Sequence, residues 1–298
     1  MNKMLVGIFM LISMLNAHAQ ELSAYKIYNA KGEEVDFGEM VHDLQKSKVI
    51  LLGEQHNNPI CHWLQVEVTK AVYEKDSSLV LGAEMFEADN QLVIDEYLAG
   101  WIKSSHLEKE SKIWPNYDTD YKPLMDFAKS QNLSFIATNV PRRYASLVSY
   151  RGVEVLEELS DEAKSNMVPL PFDFDPEAPG YKELLEMDFG HGHTTGGGHS
   201  HDEELGPINM VKAQALKDAT MAHFITQNFG DAKHFIHYQG DFHSSNYGGI
   251  YWYLKHTDKK LKVATVSMVE ASDLDWEGGY LGRADFVVVI PSGMTKTH

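Results

Sequence analysis

The sequence predicts an α/β fold: a mostly parallel central sheet flanked by helices, with a helical cap. Three features carry that expectation. Short apolar runs rich in branched residues each stop at polar residues, helical stretches separate them, and one proline-punctuated segment interrupts the alternation. Strands alternating with helices of this length are βαβ units, whose strands lie parallel. The clearest run is Val49-Ile50-Leu51-Leu52, which ends abruptly at Gly53. A continuous apolar run of this length suits a strand covered on both faces. Glu54, Gln55 and His56 follow directly, before Pro59 opens an amphipathic segment. Ligands of open α/β sheets bind outside the carboxyl ends of the strands, so polar chemistry arrives where a site is expected.

Of the 298 residues, 1–19 read as a signal peptide. Lys3 supplies a basic start, 5–15 an apolar core, and Ala17-His18-Ala19 an A-x-A cleavage site. The core is short for a membrane span, and Gln20 stands where a lipoprotein would carry its acylated cysteine. The expectation is an exported protein, periplasmic or secreted, with no stable membrane span after cleavage and one domain over 20–298. Formal net charge is −17, becoming −18 when Lys3 leaves with the signal peptide. That argues against nucleic acid as a partner, because phosphates reward Lys and Arg. The lone Cys61 rules out an internal disulfide framework and a Cys-based zinc site, and reads as a small buried hydrophobe.

Residues 21–47 hold a short polar piece and a helix at 39–44. After the strand at 48–52, a helix at 59–75 places Ile60, Leu64, Val68 and Val72 in one stripe. Pro59 suits its first turn, where a missing N–H costs nothing. A second strand, 79–83, runs into Glu84-Met85-Phe86-Glu87, so an acid again arrives where a strand stops. Residues 90–103 read as a helix, 104–120 as a polar connection bearing aromatics, and 123–131 as a short helix. The third strand, 133–137, ends in Thr138-Asn139-Val140-Pro141-Arg142-Arg143. Pro169, Pro171, Pro176 and Pro179 punctuate 144–187, the expected helical cap. A His-rich loop, 191–202, precedes a long helix at 207–228; strands at 234–239, 261–268 and 285–290 and a helix at 247–256 complete the chain.

One internal echo points to chemistry. Gly240-Asp241-Phe242-His243 follows a strand just as Gly53-Glu54-Gln55-His56 does. A helix cap would explain either Glu54 or Glu84 alone. Glu54, His56, Glu84, Asp241 and His243 on three strand ends argue instead for one shared rim. Such a cluster can ligate a divalent metal such as zinc, or act as general base and acid. His237 lies inside its strand, as a hydrogen-bonded core or wall residue. Asn139 and Arg142 bring an amide and a guanidinium towards the same rim, suited to carboxylate recognition; Arg143 serves equally well in a surface ion pair. Trp114, Tyr117 and Tyr121 offer cover for a flat ligand, and a tyrosinate can ligate ferric iron, although such aromatics also simply pack. Gln214, Asp218, Met221 and Ile225 share one helix face, where a buried Gln and Asp would support the site from behind. His191, His193, His199 and His201 are candidate ligands for zinc, nickel or copper, although the glycines among them argue against a rigid site.

The segments LLGEQH, GAEMFE, W-P-x-Y-x-x-x-Y-x-P-L, IATNVPRR, AQALKDATMA and GDFHSSNYGGIYWYL together resemble the ChaN-type haem-binding proteins, in order over about residues 45–265. Their wider superfamily is similar to the TIKI proteases and erythromycin esterases. The resemblance implies an α/β fold with a cap, haem binding in iron acquisition, and axial ligation by tyrosine or histidine. It carries over Glu54, His56, Glu84, Tyr121, Asn139, Arg142, Gln214, Asp218 and His243; Tyr117, from the aromatic-bearing connection, is a further candidate haem contact outside that set. The chain departs by lacking a lipoprotein cysteine and by carrying the His-rich loop. The leading expectation is an exported haem-binding protein. Its partners would be haem or another small flat ligand, a haem-uptake receptor or transporter, and a second copy in a homodimer. The alternatives are a metal-dependent esterase or peptidase acting through Glu54, His56, Glu84 and His243, and metal buffering by the His-rich loop.

Overall fold

Val49 and Leu51 point into one layer beside the sheet, Ile50 and Leu52 into the other, and all four are fully buried. Two covered faces are what a continuous apolar strand requires. The computed structural model describes residues 23–186 and 206–298. The expected signal peptide and the His-rich loop, with His191, His193, His199 and His201, lie outside the described residues.

The first half contains β1 (Lys26–Asn29), β2 (Glu34–Val35), α1 (Phe37–Leu44), β3 (Val49–Glu54), α2 (Pro59–Lys75) and β4 (Leu79–Glu87). Next come α3 (Gln91–Leu98), α4 (Ser104–Glu110), a single π turn at Tyr117–Tyr121, α5 (Lys122–Gln131) and β5 (Phe135–Asn139). The remainder comprises α6 (Arg142–Arg151), α7 (Asp161–Lys164), α8 (Tyr181–Glu186), α9 (Pro207–Asn228), β6 (His234–Gly240), α10 (Gly249–Thr257), β7 (Val263–Ala271) and β8 (Phe286–Pro291).

The sheet order is β2-β1-β8-β7-β3-β6-β4-β5. The six strands from β8 to β5 are parallel, and the β1–β2 hairpin adds antiparallel to β8. That hairpin replaces the polar piece expected at the N-terminus; its strands of four and two residues are too short to show a period. On one face lies a core built with Leu44, Leu64, Val68, Val72 and Leu124; on the other, one built with Val211, Ala215, Ile225 and Leu254. The α2 stripe of Ile60, Leu64, Val68 and Val72 is buried throughout, and so is Cys61.

Two departures from the expected elements have local causes. The helix expected over 90–103 stops at Leu98, because Gly100 adopts a left-handed φ of 78° after α3, and α4 forms in the stretch expected to be a polar connection. Strand β4 continues to Glu87, with an irregularity after Ala83 that brings Glu87 opposite Asn139 on β5. The proline-rich segment contributes α6, α7 and α8, and Ala145, Val148, Leu156 and Met167 pack with Leu216 of α9. Among the described residues no helix is long and apolar enough to cross a membrane.

Gly249 opens α10 at φ +50°, and a Cβ there would lie 2.4 Å from the His243 carbonyl oxygen. Both the left-handed backbone and the clash oppose a side chain. Gly249→Ala is expected to cost about 2 kcal/mol or more; an unchanged urea midpoint would contradict this.

Candidate functional site

Strands β3, β6, β4 and β5 end at one edge of the sheet, around a cleft of about 810 Å³. Glu54, His56, Glu84, Asn139, Arg142, Gln214, Asp241 and His243 all line it. The geometry turns on Gly240. It ends β6, the strand between β3 and β4, and sits in register with Glu54. With neighbouring strands about 5 Å apart, a glycine here leaves a gap between the two acids. The His56 ring fills it: a Cβ on Gly240 would lie 2.7 Å from His56 Cε1 and Nε2, and 3.5 Å from Glu84 Oε2.

His56 is held by its Nδ1, which donates to Glu54 Oε1 at 2.9 Å. Glu54 is buried and also accepts from Tyr121 Oη at 2.8 Å and Gln65 Nε2 at 2.6 Å. Burial alone would lower the His56 pKa, but the Glu54 hydrogen bond and the charges of Glu84 and Glu54 outweigh it and leave it raised. The His56 side chain remains 41% exposed towards the cleft, edge-on to Trp114 at 4.9 Å between ring centres.

His243 is the opposite case. It is buried, with Nδ1 2.5 Å from Asp218 Oδ1 and Nε2 3.1 Å from Glu84 Oε1. Burial opposes its charge, yet the two carboxylates prevail and raise its pKa to about 10. Glu84 is correspondingly held well below the usual carboxylate range: burial would raise it, but His243 and His56 and the Gly240 N–H at 2.8 Å outweigh that. Tyr181 Oη donates to the other Asp218 oxygen at 2.6 Å, and the Gln214 amide lies 3.0 Å from the His243 ring. His243 is therefore an imidazolium with both nitrogens engaged. It has no lone pair for iron, which corrects the expectation that it contacts haem as a ligand.

The tyrosine expectation also needs correction. Tyr117 and Tyr121 are only 2% exposed and do not line the cleft. The π turn aims them inwards: Tyr117 lies edge-on to Phe86, and Tyr121 sits under Glu54. Burial pushes both phenols well above their ordinary pKa, and for Tyr121 the Glu54 charge adds to this. A tyrosinate ligand is disfavoured at either position. Trp114 borders the cleft in their place, with Phe242 on the same lining.

Asn139 lies at the end of β5 with its Oδ1 buried and without a partner among the described residues. Arg142 and Lys217 line the cleft from α6 and α9, and neither forms a salt bridge among the described residues. Arg143 turns outwards to Asp89 and Tyr144. His237 is fully buried between Thr138 and Gln239, and burial pushes its pKa down to about 4. Among the described residues no group of three or more His, Cys, Asp or Glu is placed to hold a metal ion, so a divalent metal such as zinc at Glu54, His56, Glu84 and His243 has no support.

Several participants were not legible beforehand. Arg283 pairs with Asp241 at the cleft, and Tyr181 supports Asp218; Arg283 comes from an irregular segment and Tyr181 opens the six-residue α8, too short to show a period. Gln65 was detectable in principle, as a polar residue on the inner face of α2.

No curated protein matches the chain. Among solved structures, ChaN of Campylobacter jejuni, described with cofacial haem binding, aligns over 90% of this chain and 97% of its own at a TM-score of 0.58 and 19% identity. A succinoglycan biosynthesis protein aligns over 85% of this chain and 90% of its own, at a TM-score of 0.50 and 9% identity. A mutant erythromycin esterase, EreC, aligns over 89% and 83%, at a TM-score of 0.47 and 12% identity. The first two are similar in fold. The family model for haem-binding uptake, Tiki superfamily, ChaN matches residues 40–254. That is well over half of the chain, which therefore belongs to the ChaN family.

Proposed function

We propose that this protein binds haem in the cleft beside Gly240, with His56 Nε2 as the iron ligand, and acts in haem or iron acquisition or handling. In this reading residues 1–19 are a cleaved signal peptide, 20–298 form one exported domain, and a haem-uptake receptor or transporter receives the cargo. The observation that carries the reading is the oriented imidazole. His56 gives its Nδ1–H to Glu54 and keeps a half-exposed ring on the cleft. A carboxylate on one imidazole nitrogen fixes the tautomer and makes the other nitrogen a better metal donor. When bound, haem supplies an iron centre whose properties its axial ligand sets. Trp114 and Phe242 provide apolar cover for a flat ring, and Arg142 and Lys217 provide cations for its carboxylates. Family membership supports the same ligand.

Titrating haem into the purified protein should shift the Soret band and saturate at a fixed stoichiometry. No shift at micromolar haem would overturn the reading.

A second reading is hydrolysis of an ester or peptide. It is favoured by His56–Glu54 standing across Gly240 from the Glu84–His243 pair. His56 would serve as general base and the His243 imidazolium as a fixed charge. Turnover of p-nitrophenyl acetate that disappears in His56→Ala would support it.

A further inference from the structure

We infer that Asp120, tied down by Thr297, is a positioning residue for His56; this rests on His56 being the ligand-binding residue of the cleft. Asp120 is buried in the π turn and does not line the cleft. Its Oδ2 gathers three donors: Asn116 Nδ2 at 2.6 Å, Thr297 Oγ1 at 2.7 Å and His62 Nε2 at 3.2 Å. Two of them also face the His56 carbonyl oxygen, Asn116 Nδ2 at 2.9 Å and His62 Nε2 at 3.1 Å. A single carboxylate thus aims the groups that fix the His56 backbone.

The segment around Thr297 closes the arrangement from the other side. Thr297 N donates to the carbonyl of Asn57 at 3.0 Å. Lys296 pairs with Glu270, which accepts from Asn58 Nδ2 at 2.7 Å. Three consecutive residues, His56, Asn57 and Asn58, are therefore held by hydrogen bonds that meet at the adjacent residues Lys296 and Thr297. The π turn also presents Tyr121, next to Asp120, whose hydroxyl holds Glu54. The same turn fixes the His56 backbone and the carboxylate that orients its ring. π insertions recur at functional sites, and partners beyond a metal ligand commonly change affinity about 10–100-fold.

Thr297→Val and Asp120→Asn in the full chain test this, with Thr297→Ser as the conservative control. In the ligand-free protein, the His56 ring signals in NMR spectra should shift or broaden in the first two variants and match wild type in Thr297→Ser. In haem titrations the first two should bind about tenfold more weakly, with an altered Soret band, and Thr297→Ser should match wild type. Unchanged His56 signals in Thr297→Val and Asp120→Asn would overturn the positioning role, whatever haem does. A wild-type Soret shift in His56→Ala would instead overturn the ligand reading on which it rests.

Discussion

Asp218→Ala is expected to destabilise the protein by about 3–5 kcal/mol, the usual cost of removing one partner from a buried ion pair. Asp218 has no exposed surface, and its two oxygens meet His243 at 2.5 Å and Tyr181 at 2.6 Å. Its loss leaves the imidazolium with Glu84 alone and orphans a buried phenol. Equilibrium urea unfolding measures the effect, and a loss below about 1 kcal/mol would show that the cluster contributes little. The same cluster dictates a pH dependence. The His243 pKa is raised in the folded state, so its stabilisation is complete below the ordinary histidine value of 6.5 and is lost as pH rises through about 10. Glu84 has the opposite sign: its stabilisation is complete above the ordinary value of 4.5 and is lost as pH falls through its lower folded value. Wild type should therefore weaken more steeply on the alkaline side than Asp218→Asn, in which His243 has one carboxylate fewer. Parallel curves for the two proteins would sink the assignment.

The parts of the site that could be read from the sequence are those fixed by strand periodicity. Glu54 and Glu84 each stand directly after an apolar run, and parallel strands deliver such positions to one edge. The repeated G-acid-x-H signalled that β6 ends as β3 does, next to it in the sheet. Sequence spacing could not show which way a side chain at a turn would aim. Tyr117 and Tyr121 are four apart and share a face, but the π turn directs that face into the core. Nor could spacing reveal that Asp218 and Glu84 would occupy both nitrogens of His243. That depends on α9 packing against β5 and β4, a tertiary fact. The hairpin at the N-terminus was missed for a related reason: the edge of β8 specifies it, more than its own few residues do.

The largest effect on ligand binding is expected from a single methyl group. Gly240 has φ −55°, which any residue can adopt, so Gly240→Ala introduces no backbone strain. Its Cβ would nevertheless lie 2.7 Å from two atoms of the His56 ring, closer than real Cβ contacts come. The ring must give way, because the β6 backbone is paired with β3 up to Gly240 and with β4 up to Tyr238, and the Gly240 N–H is held by Glu84. Glu54 keeps Gln65 and Tyr121 as donors when His56 leaves, so the stability cost should stay near 1–2 kcal/mol, about one charged hydrogen bond. Haem affinity should fall by about 100-fold or more, because the displaced group is the proposed ligand itself rather than its support. His56→Ala should show the same loss for a different reason, and added imidazole separates the two variants. In His56→Ala the space above Gly240 is open, and imidazole should restore the Soret band. In Gly240→Ala the methyl group occupies that space, and imidazole should not. Wild-type affinity and spectrum in Gly240→Ala would mean that haem is held without His56 in its observed position.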